Sequence, residues 1–214
     1  MPKPRKKDTK SPEKTMRIFC EGEKTEPSYI EGYIGQTRVD NLTTVVKVES
    51  TRKNTPVQLV EEAVKLKKSR VSLPDDEFWV VYDRESIAKY PDALHAKAAD
   101  MAKANGIEIA LTNVCFECWL HLHFEHTTAP YSCYDDFSRR SNFKTLFKEK
   151  SGMDYEKSSK FLFETIKSLI PQARQRANRI NADSLRNCPP GKTAHHQINP
   201  YFGMPKLLDD IDNF

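Results

Sequence analysis

What most constrains the fold of this chain is an alternation, over residues 16–112, between short apolar runs and longer amphipathic stretches. Residues 16–20, 43–48, 77–82 and 107–111 are five or six residues long and rich in β-branched and aromatic side chains, so they read as buried strands. The stretches between them have helical spacing. Pro27 suits a first helical turn, with Glu26 as cap, of a helix through Tyr29, Ile30, Tyr33 and Ile34. Thr55-Pro56 opens a second helix, with Leu59, Val60, Ala63, Val64 and Leu66 on one face. Pro91–Ala104 is rich in alanine and stops at Asn105-Gly106, where glycine supplies the left-handed conformation that closes helices. Strands separated by helices pair through right-handed crossovers. The fold class is therefore α/β, a mainly parallel four-stranded sheet covered on both faces.

After residue 112 the pattern changes. Residues 115–124 form a dense aromatic segment with helical spacing, and further helices are expected at about 134–149, 155–169 and 171–186, with no strand beyond the fourth. A loop over 187–200 leads to a short acidic terminal helix. Three regions follow: a basic arm (1–14), an α/β core (15–124) and a helical C-terminal part (125–214) packed on the core. The arm carries Lys3, Arg5, Lys6, Lys7, Lys10 and Lys14 against Asp8 and Glu13, with almost nothing apolar, and reads as a disordered segment that attracts phosphates or aids solubility. The net charge of +4 is otherwise modest. No apolar run approaches the roughly 20 residues that span a bilayer, and no signal-peptide pattern opens the chain. Five cysteines, an odd number mostly beside apolar residues, read as reduced thiols, so the expected location is the cytoplasm.

Parallel strands end on one edge of their sheet, where open α/β folds bind ligands. Glu21-Gly22 follows the first apolar run, Asp83 and Glu85 follow the third, and Glu117 follows the fourth. Carboxylates gathered there suit a hard divalent cation, Mg²⁺ or Mn²⁺, which takes oxygen ligands and bridges to phosphate. A plainer reading pairs these acids with neighbours: Glu21 lies in a charged turn with Glu23, Lys24 and Glu26, and Arg84 and Lys89 adjoin Asp83 and Glu85. Glu117 sits among Phe116, Trp119, Leu120 and His123, where a charge is costly unless paired or coordinated. Arg174, Arg176 and Arg179 on the last long helix form either a phosphate-contacting face or a solvated one. Cys115-x-x-Cys118 with His121, His123 and His126 lacks the second cysteine pair of a structural zinc site, and as a redox pair it does not open a helix. Gly191-Lys192-Thr193 imitates the end of a P-loop, but Arg186 stands where the first glycine belongs and no strand precedes it.

Three stretches together resemble the RloB-like family: Cys20-Glu21-Gly22-Glu23-Lys24-Thr25-Glu26-Pro27-x-Tyr29, Val80-Val81-Tyr82-Asp83-Arg84-Glu85, and Asn113-x-Cys115-Phe116-Glu117-x-Trp119-Leu120. Asn199-Pro200 before the terminal helix fits the same pattern, and the resemblance covers roughly 16–212. Such proteins are similar to Toprim-fold proteins and occur among bacterial restriction and phage-defence genes, often beside an ATPase gene. The resemblance implies a Mg²⁺- or Mn²⁺-dependent nuclease acting on DNA or RNA, with a possible ATPase partner. It matches Glu21 to the Toprim glutamate that serves as general acid or base, and Asp83 to the first member of the Asp-x-Asp metal motif. Glu85 departs from that motif by one methylene, and Val114 stands where proline is usual. Glu117 joins the expected metal ligands, and Lys24 is the nearest cation for stabilising charge on phosphorus. A non-catalytic Toprim-like subunit, or a phosphotransferase using the same metal site, are the rival expectations.

Overall fold

The computed structural model describes residues 14–37, 45–157, 159 and 161–214. Apart from Lys14, the basic arm lies outside the described residues, as do the first two residues of the predicted second strand. The first half alternates as expected: β1 (Thr15–Cys20), α1 (Thr25–Thr37), β2 (Val45–Glu49), α2 (Pro56–Lys67), β3 (Glu77–Asp83), α3 (Asp92–Ala104) and β4 (Glu108–Asn113). β1 lies between β2 and β3, β3 between β1 and β4, and all these pairings are parallel. Cys20 is in register with Val81 and Asp83 with Thr112, so the acidic residues after β1 and β3 emerge on one edge.

β3 explains why a wholly apolar strand was needed. Its alternate residues serve two cores, Trp79 and Val81 on one face and Phe78, Val80 and Tyr82 on the other. The second face packs Leu59, Val60 and Ala63 of α2 against Ala98 and Ala102 of α3. The Thr55 hydroxyl caps α2 by accepting from the Gln58 N–H, and Pro56 occupies the first turn. The first face is covered by α1 and by the C-terminal helices. These are α4 (Phe116–His121), α5 (Tyr134–Arg140), α6 (Phe143–Ser151), α7 (Leu162–Ile166), α8 (Ile170–Arg186) and α9 (Met204–Asn213). One hydrophobic cluster holds Trp79 together with Phe143, Phe163, Ala177 and Leu207, so a single core spans position 124. Among the described residues no helix is long and apolar enough to cross a membrane.

The sheet has five strands rather than the expected four. β5 (Tyr201–Phe202) pairs antiparallel with the end of β4. Two residues carry no periodicity, and tertiary contacts create this strand. The side chain of Asn181 brackets Phe202, accepting from its N–H at 2.9 Å and donating to its carbonyl at 2.7 Å. Gly203 donates to the Leu111 carbonyl at 2.7 Å, and a β-carbon there would stand 2.7 Å from the backbone of Ala110 and Leu111. The predicted helix at 134–149 is two, because Ser141 is extended between α5 and α6. The one expected at 155–169 shrinks to α7 plus a 3₁₀ turn over Lys167–Leu169.

Candidate active site

The ladder hydrogen bonds of the sheet continue past the strand ends and fix the acidic residues. Glu21 donates its backbone N–H to the Val81 carbonyl at 2.9 Å, which extends β1 along β3 by one residue. Its Oε2 then accepts from the Asp83 N–H at 3.0 Å, so the acids of the first and third strands are adjacent. Arg84 and Glu85 donate to the carbonyls of Thr112 and Val114 at 2.8 and 2.9 Å. That bond holds Glu85 at φ 58°, a left-handed conformation that a residue with a β-carbon adopts at a cost of about 1–2 kcal/mol. The Glu85 carboxylate is drawn to Lys89, 2.7 Å away.

Arg84, a rival partner for Asp83, points elsewhere. Its guanidinium is buried and donates to the carbonyls of His196 and Tyr90 and to Asp92. Asp83 instead faces the start of α4, where Phe116 lines the same cavity. The next residue, Glu117, is only 2% exposed and is held by the Tyr155 hydroxyl at 3.1 Å and the Lys157 ammonium at 3.2 Å. Glu26, in the first turn of α1, folds back over Gly22. A β-carbon on Gly22 would displace the Glu26 carboxylate, so glycine lets that carboxylate lie over the turn.

Glu21, Glu23, Glu26, Asp83, Glu85 and Glu117 thus line one cavity of about 420 Å³ at the C-terminal edge of the sheet. Lys24 and Lys157 complete its wall. Desolvation raises the Glu21 carboxyl to about 7, against the opposing hydrogen bond from Asp83, and Glu85 adds to the rise. Asp83 is pushed well above the usual carboxylate range by desolvation, then by the charges of Glu26, Glu21 and Glu117. Glu26 is raised by burial and by Glu117. The cavity carries more negative charge than its lysines offset.

A model of the RloB-like protein family matches residues 16–211. The chain belongs to that family. No curated protein and no solved structure gives a match. In this RloB-like chain the matched span runs from β1 into α9, so the whole acidic cavity and the added fifth strand lie within it.

The donor set of the RloB-like cavity suits a hard cation, since all its acidic side chains offer oxygen and three of them hold their protons more tightly than free carboxylates do. The side chains are not converged on an ion position: among the described residues no three His, Cys, Asp or Glu groups surround a common point. Lys89 and Lys157 take the places of cations beside Glu85 and Glu117. The zinc reading finds no support. Cys115 and Cys118 lie with sulfurs 3.6 Å apart and free, while His121 turns to Asn142 and Glu125, and His123 to Tyr29. Contrary to the sequence reading, the cysteine pair does open a helix, with Cys115 at the cap of α4.

The arginines of α8 stand apart from this cavity. Arg174 is bound by Asp209, Asp212 and the Tyr33 hydroxyl, and Arg176 donates to the Leu122 carbonyl at 2.6 Å. Arg179 is exposed. The sequence reading missed three residues that build the site. Glu26 was expected only as a helix cap, and Tyr155 and Lys157 fell in a stretch expected to be helical. The spacing of Glu26 from Gly22 after a strand was the available signal; for Tyr155 and Lys157 there was none.

Proposed function

We propose that this chain is a cytoplasmic, metal-dependent nuclease of Toprim type, cutting phosphodiester bonds of DNA or RNA in anti-phage defence. The observation that carries the reading is the meeting of six carboxylates from three separate stretches of chain in one cavity, at the sheet edge where α/β folds bind ligands. Asp83, Glu85 and Glu117 would hold Mg²⁺ or Mn²⁺, with Glu26 within the same wall. Such an ion would neutralise the scissile phosphate and ease deprotonation of a water. Glu21, with its carboxyl raised to about 7, suits proton transfer near neutrality. Water would add to phosphorus as its proton passes to Glu21, the bond to the leaving sugar oxygen would break, and that oxygen would take the proton back from Glu21. Lys24 and Lys157 would offset charge building on the phosphoryl oxygens. Arg179, with Arg174 and Arg176 if their present bonds exchange, would contact nucleic-acid backbone distant from the cut. A partner ATPase would control access.

One observation favours a second reading, a non-catalytic Toprim-like subunit that binds nucleic acid or regulates the ATPase. Lys89 and Lys157 already neutralise two of the proposed ligands, as in a site that has lost its metal. Asp83→Asn decides between the two. It keeps shape and removes the charge a hard cation needs, so cleavage and defence should collapse in the complete system containing Mg²⁺ or Mn²⁺ and the ATPase. Equal cleavage and equal defence by both proteins would transfer the assignment to the subunit reading.

A further inference from the structure

The acidic cavity is the middle of three that adjoin along the C-terminal edge of the sheet. On one side it shares Gly22 and Glu23 with a cavity of about 440 Å³ that reaches Ser50, Thr51 and Arg52 after β2. On the other it shares Glu85 with a cavity of about 930 Å³ that reaches Arg140, Lys192 and Gln197. The three form one trough that crosses the ends of β2, β1, β3 and β4 in turn. Adjacent strands lie about 4.8 Å apart, so the sheet portion alone is roughly 14 Å long. That is longer than any single phosphate group requires.

Both ends mix cations with acids: exposed Arg52 stands with Glu23, Glu31 and Glu49 at one end, and Lys192 and Arg140, the latter 2.9 Å from Asp136, stand with Glu85, Asp92 and Asp135 at the other. The largest cavity also offers groups that suit a nucleobase. The Arg140 guanidinium lies 5.4 Å over the Tyr131 ring, a supported planar cation. Ile87 presents an apolar side chain that is 73% exposed. The Gln197 amide makes no side-chain hydrogen bond among the described residues. Guanidinium planes, apolar contacts and amides are what unstacked bases meet in single-strand sites. Beside the shared Glu85, the buried Arg84 anchors this side of the trough by donating to the His196 and Tyr90 carbonyls and to Asp92.

We propose that the trough seats an unpaired nucleic-acid strand, with one phosphate over the acidic cavity and the neighbouring nucleotides in the flanking cavities. The position of that phosphate rests on the nuclease reading above. A duplex keeps its bases stacked and paired behind the backbone, so it leaves the flanking cavities unfilled. A single strand can turn each nucleotide into the wall.

The test is fluorescence anisotropy of the full chain with labelled single-stranded RNA, single-stranded DNA and the matching duplexes, in Ca²⁺ to supply a hard cation without turnover. At least one single strand should bind about tenfold or more tightly than its duplex. The RNA and DNA arms identify the sugar. Arg52→Ala and Arg140→Ala should each weaken single-strand binding several-fold and leave duplex binding unchanged. Ile87→Glu serves as a further variant that requires no repacking, since the side chain is already exposed. Equal or tighter duplex binding, no binding of either form, or a single-strand preference untouched by all three substitutions would each overturn the proposal. If wild type and Asp83→Asn cut equally, the catalytic reading fails while the strand preference stays measurable. A duplex preference alongside cleavage that depends on Asp83 sinks only the trough.

Discussion

Glu21→Gln should make the metal-free protein more stable at about pH 8 and leave it nearly unchanged at about pH 5. The reason lies in the position of Glu21 at the cavity floor, where desolvation raises its carboxyl from 4.5 to about 7. Between those values the folded chain holds a proton that the unfolded chain has released, so stability falls as pH rises through this window. The full shift is worth about 3 kcal/mol, and about 2.5 kcal/mol of it develops between pH 5 and pH 8. Glutamine retains an oxygen to accept the Asp83 N–H now bonded at 3.0 Å, and it has no charge to desolvate. The variant should therefore gain about 2 kcal/mol over wild type at pH 8, a rise of roughly 4–8 °C in Tm for a chain this size.

Other groups titrate as well, which is why the comparison is a difference between two proteins. Burial lowers His95 to about 4 and His123 to about 3, so these residues favour the fold above pH 6.5 and lose that contribution as pH falls through the window beneath it. Their effect is common to both proteins and cancels. Urea or thermal unfolding at the two pH values, with chelator present, provides the measurement. Adding Mg²⁺ at pH 8 should stabilise wild type more than the variant, because bound metal supplies the charge the cavity lacks. Parallel pH profiles for the two proteins, or a variant less stable than wild type at pH 8, would refute the claim that Glu21 is a strained carboxylate.

Two further outcomes follow from contacts at the site and at the added strand. Lys157→Met removes the ammonium from a Glu117 carboxylate that is 2% exposed, leaving only the Tyr155 hydroxyl, and should cost about 1–3 kcal/mol in urea unfolding without metal. Mg²⁺ should recover more stability in this variant than in wild type, and equal recovery would place the ion away from Glu117. Gly203→Ala sets a β-carbon 2.7 Å from the backbone of Ala110 and Leu111, so about 2–3 kcal/mol should be lost; an unchanged urea midpoint would mean that β5 yields freely.

The parallel half of the fold was legible because its strands are buried on both faces. Such strands must be apolar at every position, and β3 advertises itself through Phe78, Trp79, Val80, Val81 and Tyr82 alone. β5 had no comparable signal. It depends on Asn181 and on the space above Ala110 that only glycine leaves, contacts made between residues distant in sequence. The division at 134–149 failed for a similar reason. Phe137, Phe143 and Phe147 keep an apolar stripe through the break, since they fill one core from two helices.

The acidic site divides along the same physical line. Glu21, Asp83, Glu85 and Glu117 were visible because parallel topology carries whatever follows each strand to one edge, so position in sequence determined position in space. Their neutralisation was not visible. Arg84 is as close to Asp83 as the chain allows, yet the continued ladder turns it into the body of the protein and Asp83 gains no cation from it. Lys157 is distant in sequence and reaches Glu117. Adjacent residues after a strand alternate sides, so the neighbour in sequence is the one least able to share a site. A counter-ion for such a carboxylate is better sought two residues away or in another element. In this chain that criterion finds Lys157, whose ammonium pairs with Glu117 and is felt by Asp83 as well.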